Sequence, residues 1–178
     1  MAKRYLLAAD FHGNIEAYKA LKRAADAIRP DEIVLLGDLC SYGGDIEVNN
    51  ELDKIFFPIL AVRGNCDDGG TFDRLHAGLR GDGFFEENGA RRVYFTHGHR
   101  YGRIALPPVL GKGDVLFYGH FHVPEIAVLK GVTAVCVGSM GRPRGNSEAC
   151  FCTFDGEVIA FYAAETGQKF REYRLEGE

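Results

Sequence analysis

The chain has 178 residues, of which 46% are hydrophobic and 26% charged, and its net charge is −4. This length and composition predict one soluble domain with a buried core. The acidic balance offers no basic surface that would bind nucleic acid or an anionic membrane in bulk. A small phosphate-bearing substrate stays compatible with this charge, because a bound metal reverses the field locally.

The cysteines and the amino terminus indicate the compartment. The five cysteines form no Cys-x-x-Cys pair, which argues against a disulfide framework or a zinc ribbon and favours reduced thiols. The apolar run near the amino terminus is too short for a secretory signal or a membrane span. We therefore expect a cytoplasmic protein without membrane contact.

The first third of the sequence alternates between buried strands and helices. Strands are predicted at residues 5–9, 33–36 and 59–62, and helices at residues 15–28 and 47–57. Asn14 is a suitable N-cap for the first helix, and Pro30 and Pro58 lie beyond the two helix ends. This order predicts parallel strands with helical crossovers, in which a functional site forms at the carboxyl ends of the strands.

The rest of the sequence reads as hairpin-rich β structure. Asn88-Gly89 and Lys130-Gly131 are turn signals, each between two extended segments. Further strands are predicted at residues 115–118, 150–154, 158–162 and 169–175, and a short helix near His76 or Pro107 stays open.

Polar side chains follow the predicted strands at the points where the strands end. The set is Asp10, His12, Asp38, Asn65, His97, His120 and His122. Carboxylates, imidazoles and an amide oxygen suit Mn²⁺, Fe, Zn²⁺ or Ni²⁺. Seven ligands exceed the needs of one ion, so two ions are expected, with Asp38 as the bridging carboxylate.

Each motif is weak when it stands alone. Asp-x-His, Gly-Asp and Gly-Asn-x-Asp are ordinary turn sequences, and a histidine at a strand end is commonplace. The inference depends on their joint occurrence at the ends of several strands.

The ordered motifs resemble those of the calcineurin-like metallophosphoesterase superfamily. They are Asp10-x-His12, Gly37-Asp38, Gly64-Asn65-Cys66-Asp67, His97-Gly98-His99 and Gly119-His120-x-His122. The Gly-Asn-Cys-Asp variant and the small size resemble the compact prokaryotic phosphodiesterase subfamily (YfcE-like). The resemblance implies a single metallophosphoesterase domain over residues 1–178, with an α/β fold in which two mixed sheets form a four-layer α/β/β/α sandwich.

The resemblance also implies a mechanism. Asp10, His12, Asp38 and His122 would hold the first metal, and Asp38, Asn65, His97 and His120 the second. The cofactors would be two divalent transition-metal ions, foremost Mn²⁺, with Fe, Ni or Zn as alternatives. A metal-bridging hydroxide would attack a small phosphate-ester substrate, and relatives suggest a homodimer.

Besides the metal ligands Asp38 and Asn65, three residues are candidates for a catalytic part. Cys66 stands where the wider superfamily usually has a histidine that assists the leaving group, so it either takes part or merely packs there. Asp67 is expected to accept a hydrogen bond from a ligand histidine. His99 is open between substrate contact and support of the site.

Four arginines are candidates to neutralise a second phosphate group, although most are expected to be solvated surface charges. They are Arg63, Arg100, Arg142 and Arg144. Gly138-Ser139 occupies the place of a Gly-Ser turn in related proteins.

Two other functions compete with a phosphodiesterase. One is a non-catalytic protein-binding scaffold of the same fold, against which the complete ligand set argues. The other is a phosphomonoesterase or protein phosphatase, but the arginine expected soon after Asp38 is missing.

Overall fold

The computed structural model describes residues 2–175, which form three helices and twelve strands. The helices are α1 (Ile15–Ile28), α2 (Asp45–Leu52) and α3 (Gly69–Phe72). The strands are β1 (Tyr5–Ala8), β2 (Glu32–Leu36), β3 (Ile59–Val62), β4 (Gly78–Leu79), β5 (Gly83–Asn88), β6 (Arg91–Thr96), β7 (Val115–Tyr118), β8 (Pro124–Leu129), β9 (Val132–Val137), β10 (Cys150–Phe154), β11 (Val158–Ala163) and β12 (Lys169–Arg174).

The strands form two mixed sheets, as predicted. The first has seven strands in the order β12-β11-β10-β1-β2-β3-β4, and the second has five in the order β5-β6-β7-β9-β8. Strands β1 to β4 run parallel, as do β6, β7 and β9, whereas the predicted hairpins β5–β6 and β8–β9 are antiparallel. The carboxyl ends of the parallel strands therefore collect at one edge of each sheet.

The two sheets pack face to face through one buried apolar cluster. Leu7 and Val34 belong to this cluster from the first sheet, and Phe95 and Phe117 belong to it from the second. Because side chains of a strand alternate between its faces, the neighbouring residues point outward. Those of the seven-stranded sheet are covered by α1 and α2.

The outer face of the five-stranded sheet has a different cover. Tyr118 and Leu116 are buried there and pack with Leu106 and Leu110. These leucines belong to an irregular segment between β6 and β7, so within residues 2–175 the fourth layer is made of loop rather than helix.

Local signals explain α1 but not the end of α2. The side chain of Asn14 accepts a hydrogen bond from the Ala17 amide at 3.3 Å, and α1 ends before Arg29, which adopts a left-handed conformation. Helix α2 was expected to reach residue 57 but ends at Leu52. Beyond it, Ile55 is buried against the core without helical structure, so its apolar character reflects packing.

Of the two places left open for a short helix, α3 forms shortly before His76, and no helix forms near Pro107 within residues 2–175. The short strand β4 was not predicted. The helices of the described part of the chain lack the length and apolar character needed to cross a bilayer.

Candidate metal centre

The two sheets bring the predicted ligands together at their adjoining edges. Asp10, Asp38 and Asn65 follow β1, β2 and β3, and histidines follow β6 and β7. The loops are joined by backbone hydrogen bonds. The His12 amide donates to the Asp38 carbonyl at 2.8 Å, and the Gly119 amide donates to the His97 carbonyl at 2.8 Å. These hydrogen bonds therefore fix the loops that carry the predicted ligands to one another.

Strained backbone conformations aim several of these side chains. Seven non-glycine residues among those described have a positive φ, and five of them are predicted ligands: Asp10 (57°), His12 (50°), Asp38 (52°), His120 (68°) and His122 (62°). Residues other than glycine rarely adopt a positive φ, and backbone strain of this kind clusters at functional sites. The fold thus tolerates a local conformational cost where these side chains converge.

Gly119 permits the closest approach beneath the site. A Cβ atom at this position would lie 2.5 Å from Cβ of Ala9 and 2.7 Å from Oδ2 of Asp10. The amide of His120 donates to the same Asp10 oxygen at 2.9 Å. The β7 loop therefore packs directly on the Asp10 carboxylate, which explains the glycine before the two histidines.

One group of acceptor atoms surrounds Asp10. Nδ1 of His122 donates to the carbonyl of Arg142, so its Nε2 presents a lone pair. That Nε2 lies 3.4 Å from Oδ1 of Asp10 and 3.4 Å from Nε2 of His12. Asp10, His12, Asp38 and His122 each offer one ligand atom, and these four atoms lie within 4.8 Å of one another.

A second group surrounds His97. Its Nδ1 donates to the carbonyl of Leu36 at 2.8 Å, which leaves a lone pair on Nε2. Nε2 lies 3.0 Å from Oδ1 of Asn65 and 3.4 Å from Oδ1 of Asp38. The ring of His120 is near as well, with its centroid 5.1 Å from that of His97.

Asp38 stands between the two groups. Its Oδ1 faces His97, whereas its Oδ2 lies 3.7 Å from Nε2 of His12. The Cys66 amide donates to Oδ1 at 2.8 Å and helps to hold the carboxylate in this orientation. A Cβ atom at Gly64 would overlap this oxygen, so a glycine is needed at that position.

Burial and charge shift the pKa values of the site. Burial raises the pKa of Asp10 to about 7 and lowers that of His12 to about 4. Burial also acts to raise the pKa of Asp38, but its contacts with His97 outweigh this and lower it. For His97, burial acts to lower the pKa, but the Asp38 and Asp10 carboxylates raise it. Without a bound cation, the charges of these buried carboxylates and imidazoles must therefore be balanced by protons.

The arrangement fits divalent metal ions. Asp10 is fully buried, and its Oδ1 has no hydrogen-bond partner within residues 2–175. Buried acceptors that face other acceptors cost free energy unless a cation or proton lies between them. Carboxylate, imidazole and amide atoms are suitable donors for divalent transition metals. His97 and His122 also show the carbonyl partners typical of metal-ligating histidines.

Asp67 has a different partner from the one expected. Its Oδ1 accepts hydrogen bonds from the amides of Leu39 at 2.7 Å and Cys40 at 3.2 Å, and its Oδ2 accepts one from Gly64 at 2.8 Å. The predicted ligands His97 and His122 instead donate to backbone carbonyls. Asp67 therefore ties the loop after β2 to the loop after β3, and the predicted bond to a histidine is wrong.

Cys66 and His99 lie at the rim of the site. Both side chains are exposed, and the ring of His99 is 5.5 Å from that of His97. Burial and the nearby Asp38 carboxylate raise the pKa of Cys66, which favours the neutral thiol. Burial and His97 lower the pKa of His99, which favours the neutral imidazole.

The loop after β9 supports the site in a way that sequence reasoning missed. Oγ of Ser139 donates to the Asp10 carbonyl at 2.9 Å and accepts from the Arg142 amide at 2.8 Å. The Gly-Ser pair at residues 138–139 was the available signal. The carbonyl of Arg142, which orients His122, leaves no mark in the sequence.

Comparisons with known proteins identify the family. The sequence matches the Calcineurin-like phosphoesterase superfamily domain over residues 4–157. Phosphodiesterase YfcE of Escherichia coli K12 is 27% identical over 169 residues, which are 90% of this chain and 91% of YfcE. The probable metallophosphoesterase YsnB of Bacillus subtilis is 29% identical over 167 residues, which are 88% of this chain and 89% of YsnB.

Solved structures show the same fold. The phosphoesterase YfcE from E. coli has a TM-score of 0.84 at 24% identity and covers 97% of this chain and 100% of its own. Vps29 of Entamoeba histolytica, complexed with zinc, has a TM-score of 0.63 at 19% identity and covers 97% of this chain and 99% of its own. The predicted fold and hydrolase class are confirmed, and the chain belongs to the calcineurin-like phosphoesterase superfamily.

Proposed function

We propose that the protein is a dinuclear metal-dependent phosphodiesterase. The observation that carries this proposal is the position of Asp38, whose two carboxylate oxygens face different groups of acceptor atoms. A carboxylate shared in this way would help to hold both ions of a two-metal site.

Seven side chains would hold the ions. Asp10, His12, Asp38 and His122 form the first set, and Asp38, Asn65, His97 and His120 form the second. We propose Mn²⁺ as the first metal to test. The donor set also accepts Fe, Ni or Zn, because ligand chemistry does not separate these metals.

The proposed chemistry is attack on phosphorus opposite the leaving oxygen. Bound divalent ions supply Lewis acidity, which draws in the phosphate and makes a water acidic enough to react near neutral pH. Asp38 and the Cys66 amide, joined at 2.8 Å, fix the middle of the site before substrate arrives. A carboxylate held in this way would keep the ions in place, and the positive charge of the ions would stabilise the charge that develops on the phosphate.

The proposed substrate is a small phosphate diester. The named relative YfcE is a phosphodiesterase. The lowered pKa of His99 argues against a charged imidazolium at the rim. Such a site favours esters that need little help from a protonated histidine at the leaving group. The expected homodimer and the cytoplasmic location stay predictions.

Hydrolysis of bis(p-nitrophenyl) phosphate by metal-stripped protein with added Mn²⁺, Zn²⁺, Ni²⁺ or Fe²⁺ tests the proposal. We expect release of p-nitrophenol that depends on metal and that exceeds release from p-nitrophenyl phosphate. Faster release from the monoester would favour a phosphomonoesterase. Absence of turnover with every metal, together with retained metal binding, would favour the non-catalytic scaffold.

A further inference from the structure

Four arginines near the metal centre differ in their salt-bridge partners. Arg63 pairs with Asp73 at 3.0 Å, and Arg100 pairs with Asp82 at 2.8 Å. Within residues 2–175, by contrast, neither Arg142 nor Arg144 forms a salt bridge, and both side chains are exposed. Of the four arginines that the sequence suggested, two are therefore neutralised, and the other two have no salt-bridge partner in the described part of the chain.

The backbone of both arginines is fixed to the site. The Arg142 amide donates to Oγ of Ser139, and its carbonyl accepts from Nδ1 of His122. The Arg144 amide donates to the His122 carbonyl at 3.2 Å. The carbonyl of Arg144 accepts from Oγ of Ser147 at 2.6 Å. The free guanidinium groups therefore extend from a loop that is held on a proposed metal ligand.

The same hydrogen bonds place the loop beside the centre. Because the carbonyl of Arg142 and the amide of Arg144 both contact His122, the two arginines lie on the His122 side of the ligand cluster.

Two guanidinium groups that form no salt bridge within residues 2–175 are suited to bind a phosphate. Arginine presents several N–H donors in a planar fork that matches phosphate oxygens, and it stays charged at any physiological pH. The proposed ions already neutralise the phosphate that is to be cleaved. The two arginines stand at one flank of the ligand cluster rather than within it, so their charge is available to another anionic group of the same molecule.

We propose that Arg142 and Arg144 form a subsite for a second phosphate, which makes the preferred substrate a phosphodiester that also carries a phosphate monoester. This inference rests on the proposed function, and it adds a substrate class to it. A substrate of this class places one phosphate at the centre and the other on the His122 flank.

A matched pair of substrates tests the subsite. Thymidine 5′-(p-nitrophenyl phosphate) and its 3′-phosphorylated form share a leaving group and differ by one phosphate. We expect the phosphorylated form to have the higher kcat/KM, and Arg142→Gln and Arg144→Gln each to reduce that preference about tenfold, the loss expected for a charge-assisted hydrogen bond. Arg23→Gln, on the exposed surface of α1, is the control and should preserve the ratio.

A binding measurement makes the test independent of turnover. Calorimetry should show that thymidine 3′,5′-bisphosphate binds the metal-loaded protein more tightly than thymidine 5′-phosphate, and that each Gln variant removes this difference. Arg142→Lys should keep part of it, because a lysine retains the charge and loses the fork.

Two results would overturn the subsite. If the variants lower kcat/KM for both substrates equally, the arginines contact the cleaved phosphate instead. If the variants keep the wild-type ratio and the wild-type binding difference, Arg142 and Arg144 contact neither phosphate. Both results leave metal-dependent hydrolysis intact, so they differ from a failure of the proposed function, in which no substrate turns over.

Discussion

Nε2 of His122 lies 3.4 Å from Oδ1 of Asp10, although neither atom has a proton to donate once Asp10 is ionised. The proton of the imidazole is on Nδ1, where it is donated to the Arg142 carbonyl. Because Asp10 is buried, the pair gains stability only from a cation or from a proton on the carboxylate. Metal binding and protonation should therefore compete at this position.

The first prediction concerns Asp38. Asp38→Asn keeps the size of the side chain but removes the negative charge that faces both groups of acceptors. We expect bound metal to fall to one equivalent or less, and hydrolysis to fall by at least about a hundredfold, the usual effect of losing electrostatic stabilisation in an active site. Elemental analysis and a diesterase assay measure both quantities.

Asp26→Asn is the matched control, since Asp26 lies on the exposed side of α1 and pairs with Lys22 at 2.6 Å. It should leave metal content and hydrolysis unchanged. An Asp38→Asn variant that retains two metals and full activity would contradict the bridging position.

The second prediction is a pH dependence of the metal-free protein. The pKa of Asp10 is raised from 3.8 to about 7 in the folded state. The stability associated with its neutral form is therefore fully present below about pH 4 and is lost as pH rises through about 7. Asp10→Asn stays neutral throughout and should avoid this loss.

Thermal unfolding in chelator measures the difference. At pH 8, Asp10→Asn should have a Tm at least about 3 °C above that of the wild-type protein, the change that about 1 kcal/mol produces in a domain of this size. The two proteins should converge at pH 4. Saturating Mn²⁺ should stabilise the wild-type protein more than the variant, and a Tm difference that is constant with pH would refute the raised pKa.

The third prediction concerns Gly119. Gly119→Ala places a methyl group 2.5 Å from Cβ of Ala9 and 2.7 Å from Oδ2 of Asp10. Overpacking of this kind costs about 1–3 kcal/mol, and here it also displaces a proposed ligand. We expect a lower Tm and weaker metal binding, measured by calorimetry with Mn²⁺. Gly69→Ala, where the added Cβ meets nothing within 4 Å, should change neither.

These positions show what a sequence can reveal about this fold. The convergence of these side chains was predictable because each polar residue follows an apolar strand, as Asp38 follows β2 and His97 follows β6. The bounds of α1 were predictable because Asn14 caps one end and Pro30 lies just past the other. Signals of this kind are local, so a single sequence contains them.

Tertiary contacts account for the rest. The Leu36 and Arg142 carbonyls orient His97 and His122, and every residue type has such a carbonyl. Asp67 was assigned to a histidine because an acidic residue beside a ligand motif often accepts from one, but the fold places three backbone amides nearer. The sequence does not distinguish Arg142 and Arg144 from the arginines that form salt bridges, because the fold decides which acidic side chains lie near each arginine.

The fourth prediction concerns Asp67. Asp67→Asn replaces one accepting oxygen by an NH₂ group, which then faces the amide of Leu39 or of Gly64. Because a buried donor is left without an acceptor, we expect a loss of about 1–3 kcal/mol in the free energy of unfolding. Urea unfolding measures it. Metal content at saturating Mn²⁺ should persist, whereas a variant as stable as the wild type would show that these bonds contribute nothing.

The fifth prediction concerns the thiol at the rim. Cys66 is exposed, whereas Cys40, Cys136, Cys150 and Cys152 are buried. Burial and the Asp38 carboxylate raise its pKa, and alkylation proceeds through the thiolate. Iodoacetamide should therefore label the metal-free protein once, at Cys66, and at least about threefold more slowly at pH 8 than it labels glutathione. Mass spectrometry identifies the site, and Cys66→Ser should abolish the label.

Asp38→Asn supplies the discriminating comparison, because it removes the charge that suppresses the thiolate while leaving Cys66 in place. The variant should be labelled faster than the wild-type protein at the same pH. Equal rates in the two proteins would show that Asp38 does not control the thiol, and labelling faster than glutathione would show that the pKa of Cys66 is lowered rather than raised.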